Sequence, residues 1–271
     1  MPQYKQISSN IQKVAITQPG KLNKKLVWLN IANAGKNEIE YLRKNHKFSL
    51  NHLQAASAKV SAQRPTFEYS EEGGYLFIIL HFPFLKDGNI VAGEIDFFMK
   101  KGLLATIYNN NLPALNNFFN LCKKDGDSLI STKYGSAAVL LYELLKKLMN
   151  GCYNLLDKNS LKIIEIEDLV FSGKQREAVS QIYDLRRNII NFRKIIQNHK
   201  NILKKKMEKH TSSAPDDAIR KFYGELIDQI KTIWEILDNQ KEMIEVLKDT
   251  DESLVSNRLS EIIKTLTIFS V

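Results

Sequence analysis

From Asp216 to the last residue, Val271, the chain contains no proline and one glycine, Gly224. Leu226, Ile230, Ile233, Leu237, Gln240, Ile244, Leu247, Asp251 and Leu254 recur there in steps of three and four, the seam pattern of packed helices. The segment therefore predicts one continuous helix. At 1.5 Å per residue it spans roughly 80 Å, several times the radius of gyration of about 13 Å for a 100-residue domain. A compact monomer cannot cover such a rod. Its apolar stripe calls for other long helices, from the same chain or from copies of it, and Gln240 and Asp251 in the seam imply a register that uses polar groups.

The first half has a different texture. Val27-Trp28-Leu29-Asn30-Ile31 reads as a strand, and Asn37 is placed as the cap of a helix carrying Ile39 and Leu42. Tyr75 to Leu80 is an unbroken apolar run, the mark of a strand buried on both faces. Asp87-Gly88 separates it from Ile95 to Met99, and Lys100-Lys101-Gly102 turns the chain into Leu103 to Tyr108, so these three runs predict a meander. From about Ser128 onward glycine and proline are scarce and helix formers dominate. Ser136 to Val170 predicts a helix stopped by Ser172-Gly173. Ile182, Leu185, Ile189, Phe192, Ile196, His199 and Leu203 mark the seam of a helical hairpin, and Ser212, Ser213 and Pro215 mark the turn before the last helix. The fold class is α+β. An N-terminal α/β domain with a mainly antiparallel sheet covers residues 1–127, a helical hairpin 128–213, and the stalk helix 214–271.

No glycine-rich phosphate loop, His-Glu-x-x-His, Gly-x-Ser-x-Gly or Cys-x-x-Cys is present, and the chain is not read as an enzyme. His46, His52, His81, His199 and His210 lack ligand spacing and are expected to be surface or strand residues, not metal ligands. The net charge of +9 comes with no nucleic-acid recognition motif, so neither nucleic acid nor a small molecule is the expected partner. Cys122 and Cys152 sit among apolar neighbours as small buried hydrophobes, which suits a reducing cytosol. Residues 1–10 lack a signal-peptide layout. Lys200, Lys204, Lys205, Lys206 and Lys209 gather near the end of the hairpin, where cations complement a helix C-terminus.

The acidic residues of the long helix are Asp216, Asp217, Glu225, Asp228, Asp249, Asp251 and Glu252. On one isolated helix they form a solvated face; repeated around a symmetric ring, each becomes a ring of charge of the kind that concentrates cations. Mg2+ keeps its waters, so such a ring is expected to hold the hydrated ion. No stretch reaches the roughly 18 to 20 apolar residues of a membrane span, yet the last ten residues turn apolar and stop, which is expected of a span interrupted at its start.

Gln63-Arg64-Pro65-Thr66-Phe67-Glu68, then Tyr75-Leu76-Phe77-Ile78-Ile79-Leu80-His81-Phe82-Pro83, and Ile95-Asp96-Phe97-Phe98 resemble conserved runs of the CorA family of magnesium and cobalt transporters. Ser256-Asn257-Arg258-Leu259-Ser260-Glu261-Ile262-Ile263-Lys264-Thr265-Leu266-Thr267-Ile268 is similar to the run that leads into that family's pore helix. The resemblance implies that the first domain is layered α/β/α and that the chain is the cytoplasmic part of a homopentamer at the cell membrane, attached through membrane helices beyond residue 271 and gating the passage of Mg2+, with Co2+ as a second cargo. It places Asp249 on the pore axis and the ion pathway along Asn257, Ser260, Ile263 and Leu266, with Ile263 and Leu266 at a hydrophobic gate and Ser260 in place of an asparagine. It also implies a regulatory cation site between subunits, with Glu225 and Asp228 on the stalk. The partner acids of that site fall at Ala56 and Ser57, neither of which is acidic. A ZntB-like Zn2+ transporter domain is the alternative within the same architecture, and a soluble coiled-coil scaffold with a basic surface is the alternative outside it.

Overall fold

A computed structural model describes residues 3–17, 25–57, 64–109, 112–124, 136–211 and 217–270. The expected turn at Ser212, Ser213 and Pro215, the start of the last helix at Asp216, and Gln63 of the first motif lie outside the described residues.

Seven strands form one sheet in the order β1-β2-β3-β7-β6-β5-β4: β1 (Gln3–Gln6), β2 (Ile11–Thr17), β3 (Lys25–Ala32), β4 (Thr66–Ser70), β5 (Tyr75–Lys86), β6 (Asn89–Lys100) and β7 (Leu103–Tyr108). The predicted meander is β5-β6-β7. Asp87 and Gly88 both have positive φ, 49° and 77°, the two-residue turn whose twist matches its strands. Residues 75–83 of β5 are buried throughout, as the unbroken apolar run requires. β1, β2 and β4 were not foreseen. β3 pairs in parallel with β7, Leu29 opposite Ala105, which makes an otherwise antiparallel sheet mixed.

On one face lie α1 (Lys36–His46) and α2 (Leu50–Ser57), where Leu42, Leu53 and Ala56 pack over Ile11, Leu29, Ile31, Phe77, Phe98 and Ile107. The cap of α1 is Gly35 and not the expected Asn37. Glu38, three residues on, accepts the Gly35 N–H at 3.0 Å and the Ser8 hydroxyl at 3.0 Å, so a carboxylate inside the first turn does the work assigned to a capping side chain. On the opposite face Trp28 meets Phe118 and Phe119 of α3 (Pro113–Lys124), with ring centroids 5.6 and 5.0 Å away. Its indole N–H donates to Thr106 (3.1 Å), Thr106 donates to Asn30 (2.9 Å), and Asn30 donates to the Tyr108 hydroxyl (3.3 Å), which donates to Asn116 of α3 (2.7 Å). That buried chain satisfies every polar group it brings inside the β3–β7 junction.

Among the described residues the remaining helices are α4 (Ala137–Phe171), α5 (Gln175–Ile196), α6 (His199–Thr211) and α7 (Asp217–Phe269). Ser136 opens α4 by accepting the Val139 N–H at 3.3 Å. The seam predicted through His199 breaks at Gln197 and Asn198, and the Asn198 carbonyl starts α6 by accepting the Ile202 N–H at 3.1 Å. His199 is fully buried beside Phe82 and not a surface residue, and burial lowers its pKa to about 4.

Contacts divide the chain into two compact units. The first holds residues Met1–Phe84, Val91–Cys152 and Ile195–Lys231, that is, the sheet with α1 to α3, α6, and the opening parts of α4 and α7. There α4 and α7 run parallel, with Tyr142 bonded to Glu225 and Asn150 to Gln229. The second holds Leu85–Ile90, Tyr153–Lys194 and Thr232–Val271. In it α5 runs antiparallel to α7, with Arg193 on Asp238 at 2.6 Å and Arg186 near Glu245 at 3.8 Å, and the β5–β6 tip docks on α5 through Asn188, which donates to the Gly88 carbonyl. The buried seam residue Gln240 donates to the Leu156 carbonyl (2.8 Å) and Ser160 (2.9 Å) and accepts from Asn159 (3.2 Å). It is the register key that the sequence pattern implied.

Two stability measurements follow. Asp96 is buried in β6 opposite Ile107, one carboxyl oxygen has no partner, and burial, with the nearby Glu94 charge, pushes its pKa well above the carboxylate range. The folded state therefore holds a proton that the unfolded state releases above the ordinary Asp value, so stability falls as pH rises from there. Asp96→Asn is expected to raise the urea midpoint more at about pH 7 than at about pH 4. Gln240→Leu strands the Asn159 amide and is expected to cost about 1–3 kcal/mol in the same assay.

Candidate ion pathway and cation site

α7 carries Glu225, Asp228 and Asp249, the acids the resemblance assigns to cation chemistry, and its surroundings change along its length. Near its start, in the first unit, Glu225 accepts a hydrogen bond from the Tyr142 hydroxyl at 2.6 Å, and the Lys146 ammonium stands 3.9 Å from the same carboxylate oxygen. Lys146 also donates to the Tyr142 hydroxyl at 3.2 Å, and the Tyr142 ring stacks on Phe222 at 4.6 Å. Burial first, and then the Glu225 carboxylate, hold the Tyr142 phenol protonated far above its ordinary range. Asp228, one turn on, is paired with Lys231 at 2.7 Å. Both predicted stalk carboxylates thus face cations of their own chain. Nothing local in the sequence marks Tyr142 or Lys146 as a partner of Glu225. What brings them to Glu225 is the parallel packing of α4 on α7, a long-range fact that no local motif reports.

Ala56 lies in the core under α2, and the Ser57 hydroxyl donates to the Gln54 carbonyl at 3.1 Å. Neither offers a carboxylate to the stalk. Among the described residues, no group of three or more His, Cys, Asp or Glu side chains converges as a metal site. Of the histidines, His81 is buried and bonded to Glu94 at 2.8 Å, and His52 bridges Tyr75 (2.7 Å) and Glu68 (3.0 Å). His46 borders Lys100 and has its pKa lowered to about 4 by burial and then by Lys100 and Lys13. The side chain of His210 lies outside the described residues, as do those of Lys206 and Lys209.

Farther along α7, in the second unit, Asp249 is largely exposed with Lys248 at 3.7 Å, and Lys248 bonds Glu252 at 2.9 Å. The hydrogen bond that Lys248 donates to Glu252, with Asp249 as a lesser influence, raises the Lys248 pKa. From Ser256 to the end of α7 every described residue is exposed: Asn257, Ser260, Ile263 and Leu266 share this bare stretch with Ile268 (76% exposed) and Phe269 (84%). Ser260 returns its hydroxyl to the Ser256 carbonyl at 3.0 Å, so its polar group is spent on the helix backbone. Asn257 and Ser260 lie one turn apart, as do Ile263 and Leu266, and Asp249 stands two turns before Asn257 on the same helix. No helix among the described residues is long and apolar enough to cross a membrane.

Three comparisons place this architecture. A curated protein from Methanocaldococcus jannaschii, the cobalt/magnesium transport protein CorA, is 20% identical over 244 residues, covering 90% of this chain and 74% of that one. The complete structure of the CorA magnesium transporter from the same organism matches with a TM-score of 0.83 at 18% identity, over 98% of this chain and 83% of that one. The ZntB cytoplasmic domain from Vibrio parahaemolyticus matches with a TM-score of 0.64 at 14% identity, over 95% of this chain and 98% of that one. Likeness at these identities carries the fold. The profile of the family described as CorA-like Mg2+ transporter protein matches residues 23–271, nearly the whole chain, and the chain therefore belongs to the CorA-like Mg2+ transporter family.

Proposed function

We propose that this chain is the cytoplasmic, gating part of a homopentameric divalent-cation transporter whose principal cargo is Mg2+, with Co2+ as a second cargo. The observation that carries the reading is α7. It is one helix of 53 residues whose companions cover it to about three-quarters of its length and whose last turns stand bare and increasingly apolar, the arrangement a pore helix needs where it leaves its own subunit. In a ring of five copies Asp249 supplies five carboxylates to the axis. Asn257 and Ser260 offer oxygen to a hydrated ion, and Ile263 and Leu266 form an apolar constriction that closes by excluding water. The division into a 1–127 domain, a 128–213 hairpin and a 214–271 stalk is the functional partition that goes with this reading.

Regulation is assigned to Glu225 and Asp228. A cation bound between subunits in the closed arrangement would hold those faces together, and its loss would let them separate; the cation must displace Lys146 and Lys231 to do so. The exchange is feasible because exposed ion pairs are worth only about 0–1 kcal/mol.

In liposomes containing the full-length transporter, Mg2+ uptake is expected to fall severalfold on Asp249→Ala, with competition by Co2+. Uptake of Zn2+ that Mg2+ fails to inhibit would overturn the Mg2+ assignment in favour of the ZntB-like cargo. For the sensor, Mg2+ is expected to protect the protein from limited proteolysis, and Glu225→Ala with Asp228→Ala to abolish that protection. Unchanged protection in the double variant would remove the sensor from this pair of residues.

A further inference from the structure

The turn between α4 and α5 is built on Gly173, whose φ is +78°. The Lys174 N–H bonds the Leu169 carbonyl at 3.1 Å and the Gly173 N–H bonds the Val170 carbonyl at 3.3 Å, a paired closure that ends α4 with a left-handed residue. The turn lies directly against α7. A Cβ added at Gly173 would come within 2.9 Å of the Arg258 guanidinium nitrogens. The next residue of α7, Leu259, opens the stretch in which large apolar side chains are exposed on all sides. Within the second unit, therefore, the helical bundle ends at the level of Arg258, and α7 continues alone for the 11 residues from Leu259 to Phe269, about 16 Å by helical rise.

The side chains gathered at that level have a distinct chemistry. Phe171, 62% exposed, projects from the turn. Lys174, Arg176 and Arg258 are exposed beside it; of the acids, Asp168 stands about one helical turn back on α4, Glu177 follows Arg176 in the first turn of α5, and Glu261 lies one turn beyond Arg258 on α7. An exposed aromatic with cations, placed where an apolar helix begins, is the composition of an interfacial anchor: the ring sits among headgroups and the cations meet lipid phosphates. The headgroup layer is roughly 5–8 Å thick on each side of the hydrocarbon. If the hydrocarbon begins where the apolar ending begins, at Ile262, a turn in contact with Arg258 lies about 6 Å below it by helical rise, inside that layer.

We propose that the α4–α5 turn is a membrane-surface contact that binds anionic phospholipid through Phe171, Lys174, Arg176 and Arg258, giving each subunit a second attachment besides α7. This rests on the reading of α7 as the helix that enters the membrane. The contact would couple the outer helices to the bilayer, so that any tilt of α4 and α5 requires pulling the turn out of the headgroups.

The test uses single thiols carrying a bimane label in the full 271-residue chain, at Ser172→Cys, Thr267→Cys or Tyr183→Cys. Cys122 and Cys152 are buried, with burial raising both pKa values to about 12, so the introduced thiol takes the label. The labelled chains are mixed with phosphatidylcholine–phosphatidylglycerol vesicles carrying a spin label at headgroup depth. Labels at Ser172 and Thr267 are expected to be quenched, and the label at Tyr183, about 12 Å down α5 from its first residue, to be spared. Lys174→Gln with Arg176→Gln is expected to lower partitioning onto these vesicles about 30-fold, since each surface cation near an anionic leaflet contributes roughly a factor of five to ten. Quenching at Thr267 without quenching at Ser172 overturns the anchor and leaves the transporter reading standing, and so does shielding of the Ser172 label from aqueous iodide without lipid quenching, which would assign the turn to a protein neighbour. Failure to quench at Thr267 sinks the membrane entry of α7 and the anchor with it.

Discussion

Covering the apolar stripe of α7 is the requirement on which the rest of the structure depends. A helix of 53 residues cannot be stabilised by propensity alone; it needs its seam buried along most of its length. Tyr223, Leu226 and Ile230 are buried in the first unit, and Ile233, Leu237, Ile244 and Leu247 in the second. α4 exists at 35 residues because only a helix of comparable length can follow that seam, and α5 returns beside it. Gln240 sets the alignment: its amide is satisfied only when Leu156, Asn159 and Ser160 stand opposite, so a slip by one turn would leave buried polar groups unpaired.

The same geometry explains why the acids of α7 behave as they do. Glu225, Asp228, Asp249 and Glu252 each have a lysine of the same chain within reach: Lys146 on α4 for Glu225, and Lys231 and Lys248 on α7 for the other three. A single chain therefore neutralises much of its own stalk. Such exposed pairs constrain little, which leaves the carboxylates open to exchange when several copies bring like charges together. Glu225 is the exception in kind, because the Tyr142 phenol fixes its orientation with a short hydrogen bond while Lys146 contributes only a distant charge.

A good part of this was legible in the residues. The Asp87-Gly88 turn, the apolar run of β5, the stop at Gly173 and the seam of α7 are local patterns, and each appears where the pattern places it. Pattern failed where the decision was non-local. β1 and β2 carry lysine and glutamine between their apolar residues, and they become strands through pairing, β2 on β3 and β1 on β2. The cap of α1 went to Gly35 because Glu38 could reach back and also take Ser8, a partner 30 residues away. His199 continued a helical period, yet the chain breaks before it and buries it against Phe82.

By itself the sequence determined the classes of element and their order: a mixed α and β first half, a long helical second half, and a terminal rod too long for one compact domain to cover. Those follow from side-chain periodicity and turn chemistry, which act over a few residues. Only the tertiary structure decided that β3 and β7 run parallel, that Asp96 is buried in the core with its pKa pushed up, that Glu225 faces Tyr142 and Lys146, and that the α4–α5 turn ends at Arg258. Each of these is a distance between residues far apart in the chain. Such distances are set by how whole faces pack and desolvate together, and no window of sequence contains that information.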